Sequence, residues 1–363
     1  MLELIEKLEN QVRLNFDEAV KLWDLDLPQL AKFANLIREQ KNGKKVYFNS
    51  NRHINPSNLC ADTCKFCAFS AHRKNEKQSY TMSEDEIMAI ARDVAGRGVK
   101  ELHIVSSHNP NITPEWYFGI FKKIKSEFPN LHIKAMTAAE VDFFKRKWKM
   151  SYEETLKNMV ANGVDSMPGG GAEIFDEGIR EQICKGKVSS SDWLEIHKIW
   201  HKMGRWSNAT MLFGHIENFA HRTDHILRIR DLQDEALKNA GGGGFNAFIP
   251  LVYQRENNFL EVPKAMGSAE ILKTIAISRI LLDNVTHIKA YWATSTLNLA
   301  LVAQEFGADD IDGTIENESI QSSAGAKSKK GQSKKDFIDM VQTAGLIPVE
   351  RDSLYNEIQI YES

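Results

Sequence analysis

The segment Lys45–Phe69 reads KVYFNSNRHINPSNLCADTCKFCAF, and it joins a run of β-branched and aromatic residues to three closely spaced cysteines. Its first part, Lys45–His53, is predicted to be a β-strand. Cys60, Cys64 and Cys67 follow with the spacing Cys-x₃-Cys-x₂-Cys, on a loop that we expect after the end of that strand. The segment therefore predicts a strand that brings three thiols to one point of the fold.

Strand-like and helix-like patterns alternate along the rest of the chain. Further strands are predicted at Glu101–Ser107, His132–Thr137, Val164–Gly169, Ser207–Gly214, Asn246–Tyr253, His287–Ala293 and Asp309–Ile315. Helical patterns separate most of them, at Ser83–Arg97, Pro114–Phe128, Tyr152–Asn162, Ser191–Met203, Arg222–Lys238, Ala269–Asp283 and Leu297–Phe306. Eight such repeats predict an α/β protein with a (β/α)₈ barrel of the TIM type, and a doubly wound open sheet is the alternative. In a barrel, the chemistry is expected at the carboxyl ends of the strands.

The barrel prediction divides the chain into three parts. Residues 1–44 are expected to form N-terminal helices, residues 45–316 the barrel, and residues 317–363 a C-terminal extension packed on it. Residues 327–335, KSKKGQSKK, are predicted to be a solvated basic loop. Because no aromatic residues interleave with these lysines, we do not expect a nucleic-acid site there.

Composition and charge narrow the class of protein. The chain has 363 residues, a net charge of −3, 42% hydrophobic and 26% charged residues, so neither nucleic acid nor a membrane is an expected partner. The start, MLELIEKLENQVRLNF, has the pattern of an amphipathic helix and lacks the apolar stretch of a signal peptide. With four cysteines, three of them clustered, the expected location is the reducing cytoplasm.

The cysteine spacing points to a metal centre. Three thiolates on one short loop suit three irons of a [4Fe-4S] cluster and leave the fourth iron open. The amine and carboxylate of S-adenosylmethionine suit that open position. A zinc-binding scaffold without catalytic function is the alternative, since Cys64-x₂-Cys67-x₄-His72 begins like a zinc site, but Lys77 stands where a further cysteine is wanted. Cysteines buried merely as apolar residues are the other alternative, and Cys184 is expected to be an inert thiol.

The cysteine loop, with Phe66 just before the last cysteine, resembles that of the radical S-adenosylmethionine superfamily. Other segments resemble one branch, the aminodeoxyfutalosine synthases of menaquinone biosynthesis. These segments include Asn51–Asn55, Tyr80–Ser83, Gly169–Ile174, Ser207–Leu212, Gly214–Glu217, Ala247–Pro250, His287–Trp292, Asp309–Thr314 and Pro348–Asp352. The sister family that makes cyclic dehypoxanthine futalosine shares the cysteine loop and the Gly169–Glu173 segment, and it is the alternative within the superfamily.

The resemblance implies a transferase. It implies that the 5′-deoxyadenosyl radical from S-adenosylmethionine adds to 3-[(1-carboxyvinyl)oxy]benzoate, giving 6-amino-6-deoxyfutalosine, methionine and CO₂ or bicarbonate. It also implies that Cys60, Cys64 and Cys67 are the cluster ligands and that an electron donor such as flavodoxin or ferredoxin supplies the electron. A homodimer is one option for the assembly.

The resemblance also implies roles for residues near the predicted strand ends. The residues expected to bind the cofactor are Phe66, Ser106, Ser107, Glu140, Gly169, Gly170 and Thr210, and those expected to be catalytic are His215 and Glu217. Ser106 and Ser107 depart from the Gly-Gly pair that is common in the superfamily. For the serines and the glycines, an ordinary turn is the alternative. For Glu140 the alternative is a solvated glutamate at a helix start, and for His215 a structural histidine.

Overall fold

A computed structural model describes residues 2–71, 78–326, 328 and 331–362. The strands of this part of the chain are β1 (Lys45–Asn49), β2 (Asn51–Ile54), β3 (Glu101–Ile104), β4 (His132–Ala135), β5 (Trp206–Phe213), β6 (Gly244–Val252), β7 (His287–Ile288), β8 (Asp310–Gly313), β9 (Ile347–Arg351) and β10 (Glu357–Ile360). Its α-helices are α1 (Leu2–Glu9), α2 (Phe16–Val20), α3 (Leu27–Asn42), α4 (Glu84–Gly96), α5 (Pro114–Glu127), α6 (Ala138–Trp148), α7 (Tyr152–Ala161), α8 (Glu177–Ile183), α9 (Ser190–Lys202), α10 (Phe219–Ala236), α11 (Ser268–Leu281), α12 (Trp292–Ser295), α13 (Leu297–Val302), α14 (Ile320–Ser323) and α15 (Lys334–Thr343).

The parallel strands close into a barrel. The sheets β10-β9-β1-β8, β2-β3-β4 and β5-β6-β7 meet along single parallel bridges. Those bridges are Arg52–Glu316, Lys134–Ser166, Met167–Ser207 and Lys289–Asp310. β1 and β2 form one interrupted stave, and the segment around Ser166 and Met167 supplies the fourth, so eight staves complete the circle. The predicted (β/α)₈ barrel is confirmed, and the doubly wound sheet is excluded because this sheet has no open edge between its first and last staves.

The first stave also carries the C-terminal part of the chain. β9 pairs with β1 in parallel, with Lys45 opposite Ile347 and Phe48 opposite Glu350. β10 then pairs with β9 in antiparallel orientation. The first half of this stave therefore pairs with residues from the end of the chain, whereas the second half, β2, pairs with β3.

Helices cover the barrel and begin at polar caps. The Ser83 side chain accepts a hydrogen bond from the backbone N–H of Glu86, whose carboxylate accepts one in return, which is a capping box at the start of α4. The N-terminal α3 packs its buried Leu30, Phe33 and Ala34 against the layer that contains α11. Within the described ranges, none of the helices combines the length and the apolar character that a membrane span requires.

Several element predictions were wrong in detail. Val164–Gly169 contributes only isolated bridges at Ser166 and Met167 rather than a strand. His287–Ala293 is a two-residue strand followed by a helix that begins at Trp292. The predicted loop 327–335 ends early, because Ser333 caps α15, and Lys327, Lys329 and Lys330 lie outside the described residues.

The largest correction concerns Glu140, which was expected at the end of the third strand. It lies instead in the first turn of α6, where its carboxylate accepts a hydrogen bond from the backbone N–H of Thr137. The pattern Thr137-Ala138-Ala139-Glu140 is itself a capping box, so the sequence held the signal for this helix.

Candidate active site

One cavity of about 300 Å³ lies at the carboxyl ends of the barrel strands and extends into the barrel. Nine of the predicted site residues line it, namely Cys60, Cys64, Phe66, Cys67, Ser106, Ser107, Gly169, Gly170 and Thr210. They come from four separate segments of the chain, each of which follows a different stave or belongs to it. The barrel topology thus brings together residues that are up to 150 positions apart in the sequence.

The cysteine loop is held in place by backbone hydrogen bonds to its surroundings. The N–H of Ala61 donates to the carbonyl of His108 at 2.9 Å, and the N–H of Lys65 donates to the carbonyl of Ile183 at 2.8 Å. The Ser107 hydroxyl donates to the carbonyl of Leu59 at 2.6 Å. These contacts fix the loop against the second stave and against α8, so the thiols have a defined direction into the cavity.

The three thiols suit a soft, positively charged iron centre. Burial raises the pKa of Cys60 to about 11 and raises that of Cys64 well above its ordinary value, so without a metal both remain protonated near pH 7. Metal coordination deprotonates such thiols, since the thiolate is the ligand. Three thiols that face one cavity fit the donor set of a cluster with one open iron.

The zinc alternative requires a closed set of four ligands around one ion. His72, which was considered as a zinc ligand, and Lys77 lie outside the described residues. Over residues 2–71, 78–326, 328 and 331–362, no group of three His, Cys, Asp or Glu side chains has the arrangement that holds a single metal ion.

A buried ion pair lies beside the cysteine loop. The Lys187 ammonium contacts the Glu173 carboxylate at 2.6 Å and lies 5.5 Å from the centre of the Phe66 ring. Both charged side chains line the cavity, together with Phe66. The Glu173 carboxylate raises the pKa of the Lys187 amine well above the usual value despite burial, so it is a cation. The cysteine end of the cavity can therefore hold an anionic group such as a carboxylate.

Glu140 supports the serine pair from behind. Its carboxylate accepts hydrogen bonds from the backbone N–H groups of Ser106, at 3.0 Å, and Thr137, at 2.8 Å. Its side chain does not appear among those that line the cavity, whereas Ser106 and Ser107 do. Burial raises the pKa of Glu140 to about 7 although these hydrogen bonds oppose the shift. The solvated alternative for Glu140 is wrong, because the residue is buried with 4% exposure.

The glycines after the fourth stave allow close approach of two backbones. A Cβ atom on Gly169 would lie 2.8 Å from the carbonyl oxygen of Asn208, a distance that no side chain tolerates. Gly171 has a φ of +94°, in the left-handed region that favours glycine. The Thr210 hydroxyl donates to the carbonyl of Gly169 at 2.6 Å. This part of the wall is therefore backbone, with little side-chain bulk between it and a ligand.

His215 and Glu217 have partners within the fold. The Glu217 carboxylate accepts hydrogen bonds from the N–H groups of Gly214 and His215, and it pairs with Arg222 at 2.7 Å. His215 lies 3.1 Å from Glu217 and donates from Nε2 to the carbonyl of Leu212. Neither side chain is among those that line the cavity. Their catalytic role stays a prediction, and the geometry gives them the task of shaping the end of β5.

Sequence reasoning missed several polar side chains that line the cavity, and it missed the Lys187 ammonium at the cysteine end of the cavity. These are His53, His103, Lys187, Tyr291, Asp312 and Glu318. For the two histidines a signal existed, because each stands one residue before the end of a strand, with its side chain on the same face as the strand's other inward residues. Lys187 lies between two helices, in a stretch with no pattern that would single it out.

Two family models match the chain. The model described as the radical SAM superfamily matches residues 54–229. The model described as the CofH/MqnC C-terminal region matches residues 242–363. The two matches cover most of the barrel and the C-terminal extension.

Curated relatives match over nearly the whole length. An aminodeoxyfutalosine synthase of Thermus thermophilus is 39% identical, covering 100% of this chain and 97% of the relative. A protein of the same name from Streptomyces coelicolor is 37% identical, covering 99% of this chain and 94% of the relative. A cyclic dehypoxanthine futalosine synthase of Streptomyces coelicolor is 35% identical, covering 96% and 87%.

Solved structures share the fold. Methylornithine synthase superposes with a TM-score of 0.73 at 17% identity, covering 95% of this chain and 97% of that one. The FeFe-hydrogenase maturase HydG from Carboxydothermus hydrogenoformans gives a TM-score of 0.71 at 16% identity, covering 97% and 80%. At these identities the likeness concerns the fold alone.

Proposed function

Because the chain belongs to the radical SAM superfamily, we propose that it is an aminodeoxyfutalosine synthase. In this proposal the enzyme joins the adenosyl group of S-adenosylmethionine to 3-[(1-carboxyvinyl)oxy]benzoate. The products are 6-amino-6-deoxyfutalosine, methionine and CO₂ or bicarbonate. The observation that carries the proposal is the 39% and 37% identity to two synthases of that name over the barrel and the C-terminal extension alike.

The cofactors of the enzyme are a [4Fe-4S] cluster and S-adenosylmethionine. When bound and reduced by the external donor, the cluster would supply one electron to S-adenosylmethionine, which would give methionine and the adenosyl radical. We propose Cys60, Cys64 and Cys67 as the three cluster ligands. An external electron donor such as flavodoxin or ferredoxin, and a homodimer, remain parts of the proposal.

The protein's own contribution is to position the reactants and to exclude water. In the proposal Ser106 and Ser107, backed by Glu140, present polar groups to the methionine part of the cofactor. The ammonium of Lys187, 2.6 Å from Glu173, supplies positive charge at the same end for a carboxylate. Gly169, Gly170 and Thr210 form a wall on which the adenosyl group can lie. A radical within an enclosed cavity is kept from solvent while the alkene is held close to it.

The test is a reaction read by mass spectrometry. The full chain is reconstituted anaerobically with iron and sulfide, then incubated with S-adenosylmethionine, dithionite and 3-[(1-carboxyvinyl)oxy]benzoate. We expect methionine and a product that carries the adenosyl group joined to the benzoate skeleton, in equal amounts. Reactions without dithionite or without the benzoate are the controls, and neither should give the adenosylated product.

The other outcome has a definite meaning. Release of 5′-deoxyadenosine with the benzoate unchanged would contradict the proposed substrate while leaving the radical chemistry in place. Dehypoxanthine futalosine is then the next substrate to test, because a relative that makes its cyclic product is 35% identical to this chain. With an enzyme family shown, we do not propose a zinc-binding scaffold.

A further inference from the structure

Two histidines face each other across neighbouring strands inside the barrel. His53 on β2 and His103 on β3 are opposite each other in the parallel register, and their ring centroids are 4.6 Å apart. Both line the cavity. The side chain of His103 keeps 24% of its surface accessible, although protein surrounds it, because its free face opens onto the cavity.

The pair lies deeper than the cysteine end. His103 precedes Ser106 by three residues along one stave, and at about 3.3 Å per residue this places it roughly 10 Å further into the barrel. A ligand whose reactive carbon lies near the cofactor, at the depth of Ser106, would thus extend its far end toward the two imidazoles.

The other charged groups around the pair already have partners. Asp312 on β8 contacts the ammonium of Lys289 at 2.9 Å. Glu101 on β3 contacts the ammonium of Lys134 on β4 at 2.7 Å, and its nearer oxygen to His103 is 4.0 Å away.

Among the described residues, Glu318 is the remaining carboxylate near the pair, and its oxygens accept hydrogen bonds from the backbone N–H groups of Gln321 and Ser322. Tyr291 also faces the cavity and is buried. In the part of the chain that the structure describes, the two histidines are therefore the groups at this depth of the cavity that can acquire a charge when a ligand arrives.

We infer that His53 and His103 bind the carboxylate on the aromatic ring of the substrate and select for it. The inference rests on the proposed function for the identity of that substrate, 3-[(1-carboxyvinyl)oxy]benzoate. Its second carboxylate, on the enol ether, is next to the reacting alkene and therefore stays near the cofactor. The ring carboxylate is at the other end of the molecule, where the imidazole N–H groups can donate to it.

Proton uptake should accompany this binding. Burial lowers the pKa of both histidines below the usual value, His103 well below it, so both are neutral at pH 7.5 in the free enzyme. Asp312, Glu318 and Glu101 oppose this shift, and Lys134 adds to it. A bound carboxylate raises the pKa of an adjacent imidazole, so binding takes up a proton and weakens as the pH rises.

The experiment compares the acid with an analogue in which only the ring carboxylate is replaced by a carboxamide. The cluster-loaded enzyme with S-adenosylmethionine is titrated anaerobically by calorimetry, in two buffers of different ionisation enthalpy. We expect the acid to bind at least about ten-fold more tightly than the amide, with uptake of up to one proton at pH 7.5. The Kd of the acid should increase from pH 6.5 to 8.5, whereas that of the amide should not.

In the variants His53→Gln and His103→Gln, the acid and the amide should bind with nearly equal Kd, and the proton uptake should be abolished. His221→Gln is the matched control, because His221 lies on α10, away from the cavity, where glutamine can also serve the capping box. Titration of each variant with S-adenosylmethionine alone, in the same calorimeter, reports whether its cofactor site is intact.

Three results overturn the inference: equal binding of acid and amide by the native enzyme, binding without proton uptake, or a ratio of the two Kd values that both variants preserve. The first two need no variant and so do not depend on how the variants fold. Benzoate is titrated as well, since it carries the ring carboxylate without the enol ether. Histidine-dependent binding of benzoate by an enzyme that gives no adenosylated product would sink the proposed function alone, whereas adenosylated product with an unchanged ratio would sink this inference alone.

Discussion

Both ends of the barrel interior are polar, but the polar side chains at the two ends have different surroundings. At the amino ends of the strands, buried charges come in fixed pairs, as in Glu101 with Lys134, Asp309 with Arg279, and Asp310 with Arg351. At the carboxyl ends, thiols, hydroxyls and imidazoles face a cavity. Buried charges away from the cavity thus support the fold through their pairs, whereas the polar groups that line the cavity, the paired Lys187 among them, can reach a ligand.

Removal of one thiol from the cavity end should have the largest effect. Cys64→Ala is expected to lose the cluster and to reduce cleavage of S-adenosylmethionine to background, because two thiolates do not hold a cubane with an open iron. Iron content and absorption near 400 nm after anaerobic reconstitution measure the first effect, and 5′-deoxyadenosine measures the second.

Cys184→Ala is the matched control for that variant. Cys184 is also a buried free thiol, but it lies outside the cysteine loop, at the end of α8. It should retain its iron and its activity. A colourless Cys184→Ala protein would mean that the cavity end recruits a fourth cysteine and that the three-ligand assignment is wrong.

Breaking a pair at the opposite end should cost stability and spare the cluster. The side chains of Glu101 and Lys134 are 1% and 3% exposed, so Lys134→Met leaves a buried carboxylate without its cation. The free energy of unfolding in urea should fall by about 3–5 kcal/mol. The double variant Lys134→Met, Glu101→Leu removes both charges and should recover most of that loss; if it is no more stable than the single variant, the pair is not what matters there.

Glu140 shares features with both ends of the barrel interior. It is buried like the charged pairs, but no cation forms an ion pair with it in the described part of the chain. Its pKa, raised by burial to about 7, means that the protonated form favours the folded state. That stabilisation is complete below pH 4.5 and is lost as the pH rises through 7. Relative to Glu140→Gln, which is neutral throughout, the native protein should lose about 3 kcal/mol of stability between pH 4.5 and 7.

Thermal unfolding of the native and Glu140→Gln proteins at several pH values measures this difference. Glu154→Gln is the control, because Glu154 has the same capping position on α7 but is exposed to solvent. If the stability of the Glu140→Gln and Glu154→Gln proteins changes with pH in the same way, the burial of Glu140 has no electrostatic consequence.

A substitution at an exposed helix cap, away from both ends of the barrel interior, shows how large a purely local loss of stability is. Ser83 caps the exposed start of α4. Ser83→Ala should cost about 1 kcal/mol, and Ser83→Thr should restore most of it, with the affinity for S-adenosylmethionine unchanged in both. Urea denaturation and ligand titration distinguish this local loss from an effect that reaches the cavity.

The sequence was sufficient for the parts of the molecule that follow periodic patterns. The alternation of strands and helices predicted the barrel, and the cysteine spacing predicted which thiols face one cavity, because both are local signals. The fourth stave was predicted at the right place, Val164–Gly169, but too long, because only Ser166 and Met167 pair with the neighbouring staves. His53 and His103 were missed because they meet through strand register, and register is set by the closed sheet rather than by either strand.

The pairing of β1 with β9 has a consequence for the order in which the protein can be completed. Residues 45–48 leave the ribosome well before residues 347–350, which are the partner for one of their edges. All residues between the two must be synthesised before this contact can form, and such long-range pairing is slow. The cysteine loop follows β1 and β2 in the sequence. The nascent chain therefore exposes its three thiols long before β1 can pair with β9. Delivery of iron and sulfide is therefore best timed to follow release of the finished chain.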